Sequence, residues 1–163
     1  MKKELNATIR GLVRGHLLAS LMFSLTFYAL YRYWEMELSV VTFFPYALLI
    51  FILLQGCYFW YYYSKKIAKR PLDYTFNQTI FKLFRLVNGL LFLAYGIYLI
   101  SGNDKLSTIH VIAVTFYSLF SLVEYINLYY IRLSYTKAQD IKRLVQFKWL
   151  KPTRLRREFF LKR

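Results

Sequence analysis

The sequence predicts an all-α membrane protein of four transmembrane helices arranged as two antiparallel hairpins, and three observations predict it. The 163-residue chain is 58% hydrophobic and 21% aromatic, yet it carries a formal net charge of +15. Its polar residues are collected at the two ends and in one central connection. Four apolar stretches are each long enough to cross ~30 Å of hydrocarbon, which takes about 20 helical residues. A bilayer imposes this segregation, whereas a soluble domain spreads its polar residues along the chain.

The four predicted spans cover residues 16–34, 38–63, 80–100 and 109–130. The connections after the first and third spans are short, which is typical of antiparallel helix pairs, whereas the central connection is longer and basic. We therefore expect a four-helix transmembrane domain over residues 1–135 and a basic amphipathic cytoplasmic tail over residues 136–163. The first span resembles a signal peptide, but bulky and charged residues occupy 31–35, where cleavage needs small ones, so we expect a retained helix.

The Lys and Arg residues predict the orientation of the bundle. Four precede the first span, six lie in the central connection and the start of the third span, and eleven follow the fourth span. Only Arg32 and Lys105 fall on the opposite side. Because positive charge is retained in the cytoplasm, we expect both termini to be cytoplasmic, in the plasma or cell membrane. Tyr and Trp residues at the ends of the second and fourth spans indicate a headgroup belt, with a Tyr-lined ligand site as the alternative.

Polar side chains inside the apolar stretches are the main functional clue, because they are costly in hydrocarbon. At ~1.5 Å rise per residue, their depths of roughly 9 to 15 Å bring them to a similar level. Five residues are predicted to form an intramembrane polar layer: Gln55, Arg85, Asn88, Glu124 and Asn127. Helical spacing also predicts a buried ion pair between Arg85 and Glu124. On the face that carries Arg85, Gly89 and Gly96 predict the close approach of another helix.

Two interpretations of this polar layer stay open. In the first, the polar side chains hold the helices together where hydrophobicity gives no drive between them. In the second, Glu124 is a proton- or cation-responsive residue in a transport path. We expect no cofactor and no metal site, because Cys57 is the single cysteine and His16 and His110 have no clustered carboxylates beside them.

The tail at residues 136–163 has ten basic and two acidic residues, a net charge of +8, with apolar residues interleaved on one helical face. Such a segment lies in the headgroup plane of an anionic leaflet, where each basic group contributes ~1 kcal/mol. The residues expected to contact lipid are Lys142, Arg143, Lys148, Trp149, Lys151, Arg154, Arg156, Arg157, Phe159 and Phe160. A protein partner is the second interpretation. Nucleic acid is disfavoured, because the tail has no recognisable binding fold and anionic lipid is already adjacent.

Motifs for common catalytic sites are missing from the sequence, which has no P-loop, GxGxxG, HExxH, GxSxG or CxxC. Because the sequence shows no nucleophile–base pair and no set of metal ligands, an enzyme is disfavoured. A lipid-modifying enzyme is the alternative that stays open, because the sites of such enzymes can consist of few residues. We expect this protein to be a small accessory or assembly partner of a larger membrane system. We also expect it to bind another membrane protein or to form a homo-oligomer. The alternative is a homo-oligomeric small transporter or flippase in which Glu124 is the coupling residue.

Overall fold

The computed structural model describes residues 2–34, 36–101, 107–131 and 152–161, with side chains from Thr8 onward. These residues form five helices and no β-strand. In chain order the helices are α1 (Lys2–Tyr33), α2 (Val40–Ile67), α3 (Tyr74–Ser101), α4 (Thr108–Tyr129) and α5 (Arg154–Phe159). The first four are each long and apolar enough to cross a membrane, which confirms the prediction of an all-α membrane protein with four such helices.

Three of the four long helices extend beyond the apolar stretches that predicted them. α1 begins at Lys2 rather than at residue 16, and α3 begins at Tyr74 rather than at residue 80. An apolar stretch marks the part of a helix that suits hydrocarbon, whereas the helix itself continues until its backbone hydrogen bonding is interrupted. After α2, Lys69 adopts a positive φ of 54° and Pro71 follows, so the helix ends there.

α2 is the central helix of the bundle, with α1, α3 and α4 packed against it. Half of its apolar window is buried (50%), compared with 6% for α1, 11% for α3 and 22% for α4. Apolar residues cover every face of α2, which is the pattern expected of a helix surrounded by others. In the other three helices, most of the apolar surface faces outward from the bundle.

The start of α2 is fixed by a cap and by a contact with α3. Ser39 accepts a hydrogen bond from the Thr42 backbone N–H, and the Thr42 hydroxyl accepts one from the Ser39 backbone N–H. Pro45 has no N–H to donate to the Val41 carbonyl, four residues earlier in the helix. The buried hydroxyl of Tyr95 in α3 donates to that carbonyl at 2.7 Å. This contact replaces the missing backbone hydrogen bond and joins α3 to α2.

Gly56 is the glycine that lets α1 and α2 approach each other. A Cβ atom there would lie 2.5 Å from Cδ2 of His16, so a larger residue would displace that ring. The ring is positioned by its Nδ1, which lies 2.8 Å from the Leu12 carbonyl oxygen. The close approach predicted at Gly89 and Gly96 does not occur, because a Cβ would make only an ordinary contact at Gly89 and would meet nothing within 4 Å at Gly96.

The largest buried cluster lies where α2, α3, α4 and α5 meet. Leu155 and Phe159 of α5 are 1% and 2% exposed, and the Phe159 ring stacks on Phe81 with their centres 5.1 Å apart. A second cluster joins α1, α2 and α4 around Phe27, whose ring stacks on Tyr46 at 4.1 Å. Although α5 has only 6 residues, its two apolar side chains are therefore part of the folded core.

Candidate functional site

Three uncharged polar side chains meet in the interior of the bundle, and we call them the polar cluster: Gln55, Asn88 and Tyr129. They are 2%, 0% and 0% exposed. Gln55 Nε2 donates to Asn88 Oδ1 at 3.3 Å, and Asn88 Nδ2 donates to Gln55 Oε1 at 2.8 Å. The Tyr129 hydroxyl also donates to Gln55 Oε1, at 2.7 Å. The polar cluster thus joins α2, α3 and α4, and it pairs groups that would be costly to bury unpaired.

The two charged members of the predicted polar layer do not meet. Among the described residues, Arg85 and Glu124 form no ion pair with each other. The Arg85 guanidinium lies 4.2 Å from the centre of the Phe160 ring in the segment that follows α5, while Glu124 Oε2 accepts a hydrogen bond from Asn127 Nδ2 at 3.4 Å on its own helix. Depth and periodicity suggested the pair, but neither fixes the rotation of each helix about its axis.

Glu124 and Asn127 line a cavity of about 310 Å³ between α1, α2, α4 and α5, which we call the Glu124 cavity. His16 of α1 and Arg154 of α5 also line it, together with apolar side chains such as Ile52. A carboxyl, an imidazole and a guanidinium group therefore border one largely apolar space. Such a combination suits a small amphipathic molecule that needs a few polar contacts.

Polar contacts tie α5 to the ends of α2 and α3, in addition to its buried side chains. Lys66 of α2 pairs with the Glu158 carboxylate. The Tyr74 hydroxyl donates to the Glu158 carbonyl at 2.7 Å, and Gln78 Nε2 donates to the Phe159 carbonyl at 2.9 Å. These two bonds satisfy carbonyls at the end of α5 that have no partner within the helix. The position of α5 against α2 and α3 is therefore fixed by both its backbone and its side chains.

An open cleft of about 1010 Å³ lies between α5 and the ends of α2 and α3. We call it the basic cleft, because cationic side chains from all three helices line it: Lys66, Lys82, Arg154 and Arg157. Among the described lining residues the one acid is Glu158, which is already paired with Lys66. Aromatic rings form part of the wall, and the Arg154 guanidinium lies 5.5 Å from the Tyr63 ring centre. A concave surface with this charge attracts anions.

The predicted lipid-contacting residues fall into two groups. Five lie outside the described residues: Lys142, Arg143, Lys148, Trp149 and Lys151. The second group includes three arginines, of which Arg154 and Arg157 line the basic cleft. Arg156 Nη1 donates to the Tyr130 carbonyl at the end of α4, at 3.4 Å. The arginines of α5 therefore lie on two sides of the short helix, with Arg154 and Arg157 at the basic cleft and Arg156 at the end of α4.

The two phenylalanines of the predicted lipid surface lie against the protein. Phe159 is 2% exposed and packs in the main core, so it faces the bundle instead of lipid. Phe160 is half-buried, with the Arg85 guanidinium over its ring. Amphipathic periodicity identified both as apolar positions of one segment. It could not distinguish a lipid surface from the protein's own core, because both are apolar environments.

Sequence reasoning missed Tyr129 as a member of the polar cluster and Lys66 and Lys82 as members of a site. Tyr129 was interpreted as part of the headgroup belt. Its spacing gave no signal that placed it inside, because twelve residues from the buried Tyr117 are three helical turns and about 120° more, which is off the face that Tyr117 marks. The two lysines were used only to predict orientation. No signal near them in the sequence shows that α5, more than seventy residues later, returns to them.

Among the described residues, no group of three or more His, Cys, Asp or Glu side chains is placed to hold a metal ion. Comparisons with protein-family models, with curated proteins and with solved structures found no match to this chain. Its function is therefore inferred from the geometry of the polar cluster, the Glu124 cavity and the basic cleft.

Proposed function

We propose that this chain is a small, non-catalytic integral membrane protein that acts as an accessory or assembly partner of a larger membrane system. The observation that carries the proposal is the division between its polar groups. Inside the bundle, Gln55, Asn88 and Tyr129 hydrogen-bond to one another, as expected of side chains that hold helices together. At one end, the cationic side chains of the basic cleft line an open space. A molecule of this kind is anchored by its bundle and binds through its basic end.

We propose further that the four long helices form two antiparallel hairpins, with both termini on the cytoplasmic side of the cell membrane. Two contacts support opposite directions for α1 and α2. The Tyr46 hydroxyl, near the start of α2, donates to Ser24 at 3.0 Å, and the Cys57 thiol, later in α2, lies 3.9 Å from the carbonyl of the earlier residue Val13. The concentration of Lys and Arg on one predicted side supports the cytoplasmic placement.

Reporter fusions test this orientation. A reporter that is active only outside the cytoplasm should be silent when fused at residues 70 and 163 and active when inserted at residue 103. The expected result follows from the retention of positively charged segments in the cytoplasm. Activity at residue 70 or at residue 163 would overturn the proposed placement of the termini.

Photo-crosslinking in native membranes tests the accessory role. A photoreactive residue is placed at Leu21 in α1 or at Leu90 in α3, which are both 55% exposed, with the buried Leu49 (0% exposed) as the matched control. The proposal predicts a discrete adduct with a different membrane protein from at least one exposed position and none from Leu49. Adducts with lipid alone at both exposed positions would contradict an intramembrane partner.

The second candidate is a homo-oligomeric transporter or flippase, and the Glu124 cavity is the observation that favours it. Glu124 borders that cavity together with His16 and Arg154, so a charged ligand would meet an ionisable side chain of each sign. Crosslinking would then yield adducts between copies of this chain. Purified protein in liposomes would show a proton- or cation-dependent flux that Glu124→Gln abolishes while the variant still folds. Absence of flux in the unmodified protein across a broad substrate panel would leave the accessory role as the better proposal.

A further inference from the structure

We infer that the basic cleft is a binding site for the phosphate-bearing headgroup of an anionic lipid. The inference deepens the proposed function, on which it rests for one point, that this end of the bundle lies at the cytoplasmic headgroup level. Lys66, Lys82, Arg154 and Arg157 line the cleft, and the Glu158 carboxylate is the one acid among the described lining residues. Because Glu158 neutralises only one of these four cations, the described part of the lining retains three positive charges.

Two of the cationic groups are held in place before any ligand binds, because Arg154 lies beside aromatic rings and Lys66 is paired with Glu158. The Arg154 guanidinium lies 5.7 Å from the Trp60 ring centre and 5.5 Å from that of Tyr63, so aromatic faces restrict it. Arg157 follows Arg154 by three residues on α5, and the core packing of Phe159 fixes that helix. A ligand therefore does not have to order the Arg154 side chain, and less conformational entropy is lost at that contact on binding.

The surroundings of the basic cleft favour a lipid over a free phosphate ester. Tyr63 and Tyr74 line it, and Tyr side chains prefer the boundary between headgroups and hydrocarbon. Further along α3, Leu86 and Leu93 lie on the same face as Lys82 and are 60% and 62% exposed. An acyl chain can lie along this apolar face while its headgroup occupies the cleft. The volume of about 1010 Å³ also exceeds what a single phosphate group fills.

This site differs from the general attraction between a basic tail and an anionic leaflet. Surface attraction depends on the number of charges and decreases with salt, but it does not depend on which exposed cation is removed. A cleft binds a defined number of lipids and depends on the residues that line it. Lys69 and Arg70 provide the matched comparison, because they are exposed, belong to the same basic end and do not line the cleft.

The experiment measures lipid binding to the full chain in neutral detergent, by native mass spectrometry and titration. The ligands are phosphatidic acid, phosphatidylcholine and glycerol 3-phosphate. We expect one phosphatidic acid molecule to bind in preference to phosphatidylcholine, with glycerol 3-phosphate much weaker because it lacks acyl chains. The variant K82Q/R157Q should bind phosphatidic acid about tenfold or more weakly, since two cations near the phosphate are lost, whereas K69Q/R70Q should change little. Thermal unfolding confirms that both variants fold.

Each contrary outcome overturns a stated part of the inference. Equal losses in K82Q/R157Q and K69Q/R70Q would mean diffuse attraction, and no loss in either would remove the cleft as the site. Equal affinity for glycerol 3-phosphate would make a soluble phosphate ester the ligand instead of a lipid, and equal affinity for phosphatidylcholine would exclude recognition of anionic charge. Binding in detergent requires neither a protein partner nor a given orientation. A failed crosslinking or reporter experiment would therefore refute the proposed function without affecting this result, and the converse also holds.

Discussion

The polar cluster and the basic cleft are both built by α2 and α3 with a third element, yet they differ in every property that decides what a polar group does. In the polar cluster, Gln55, Asn88 and Tyr129 are uncharged, almost fully buried and hydrogen-bonded to one another. In the basic cleft, four cationic side chains line an open space, and the described lining residues include one acid, Glu158. Polar groups inside an apolar bundle stabilise it when they satisfy one another. Charges at its end remain available for a ligand.

Residue type alone does not assign a role to a polar side chain in this chain. Arg85 and Glu124 are the charged residues of the predicted polar layer, and neither belongs to the polar cluster. Arg85 lies over Phe160 close to the basic end, while Glu124 borders its own cavity. If the polar cluster stabilises the bundle and the basic cleft binds lipid, changes in the polar cluster should alter stability and leave lipid binding intact. Changes in the basic cleft should weaken lipid binding and leave stability intact.

The largest expected effect comes from Phe159, because it supports the basic cleft and packs in the cluster that contains Tyr129. Phe159→Ala removes a fully buried ring, a change that typically costs ~3 kcal/mol or more. We expect α5 to detach, so that hydrogen exchange at residues 154–160 becomes fast and phosphatidic acid binding is lost. Leu161→Ala, at a side chain that is 45% exposed, serves as the control for the hydrogen-exchange measurement. Unchanged exchange in Phe159→Ala would show that polar contacts alone hold α5.

A smaller effect is expected within the polar cluster. Asn88→Leu leaves the buried Gln55 Nε2 without its acceptor, while Gln55 Oε1 keeps the Tyr129 hydroxyl as a donor. We expect this change to cost about 1–2 kcal/mol of unfolding free energy. The triple variant Gln55→Leu/Asn88→Leu/Tyr129→Phe removes the unpaired groups and should recover part of that loss. Unfolding in detergent or bicelles measures both, with lipid binding assayed in parallel. A change in phosphatidic acid affinity in Asn88→Leu would mean that the two regions are coupled.

The smallest expected effect lies at the contact between Tyr95 and Pro45. Tyr95→Phe leaves the Val41 carbonyl without a donor and should cost ~1 kcal/mol. In a Pro45→Ala background, the new backbone N–H can donate to that carbonyl, so the same change should cost less. A double-mutant cycle on thermal or denaturant unfolding gives the difference. Equal costs in the two backgrounds would mean that the hydroxyl does not compensate for the proline.

The amino-acid sequence alone predicted how many helices are long and apolar enough to cross a membrane, and their approximate positions. Hydrophobicity is a local property, so four apolar stretches separated by polar connections could be identified without any knowledge of packing. The sequence also identified Gln55 and Asn88 as intramembrane polar residues, because amide side chains are uncommon within apolar stretches. Helix ends were less predictable: α1 continues to Lys2 through residues that are too polar to count as part of a span.

Which of these residues meet depends on how the helices pack. Arg85 and Phe160 are 75 positions apart in the chain, and Lys66 and Glu158 are 92 apart, so no periodicity relates them. The rotation of each helix separates Glu124 from Arg85, and the return of α5 buries Phe159, which an amphipathic pattern could equally have placed in lipid. The close approach occurs at Gly56 beside His16 rather than at Gly89. Local sequence determines where each helix is apolar and where it is polar, but the relative rotation and position of the helices depend on contacts between distant residues.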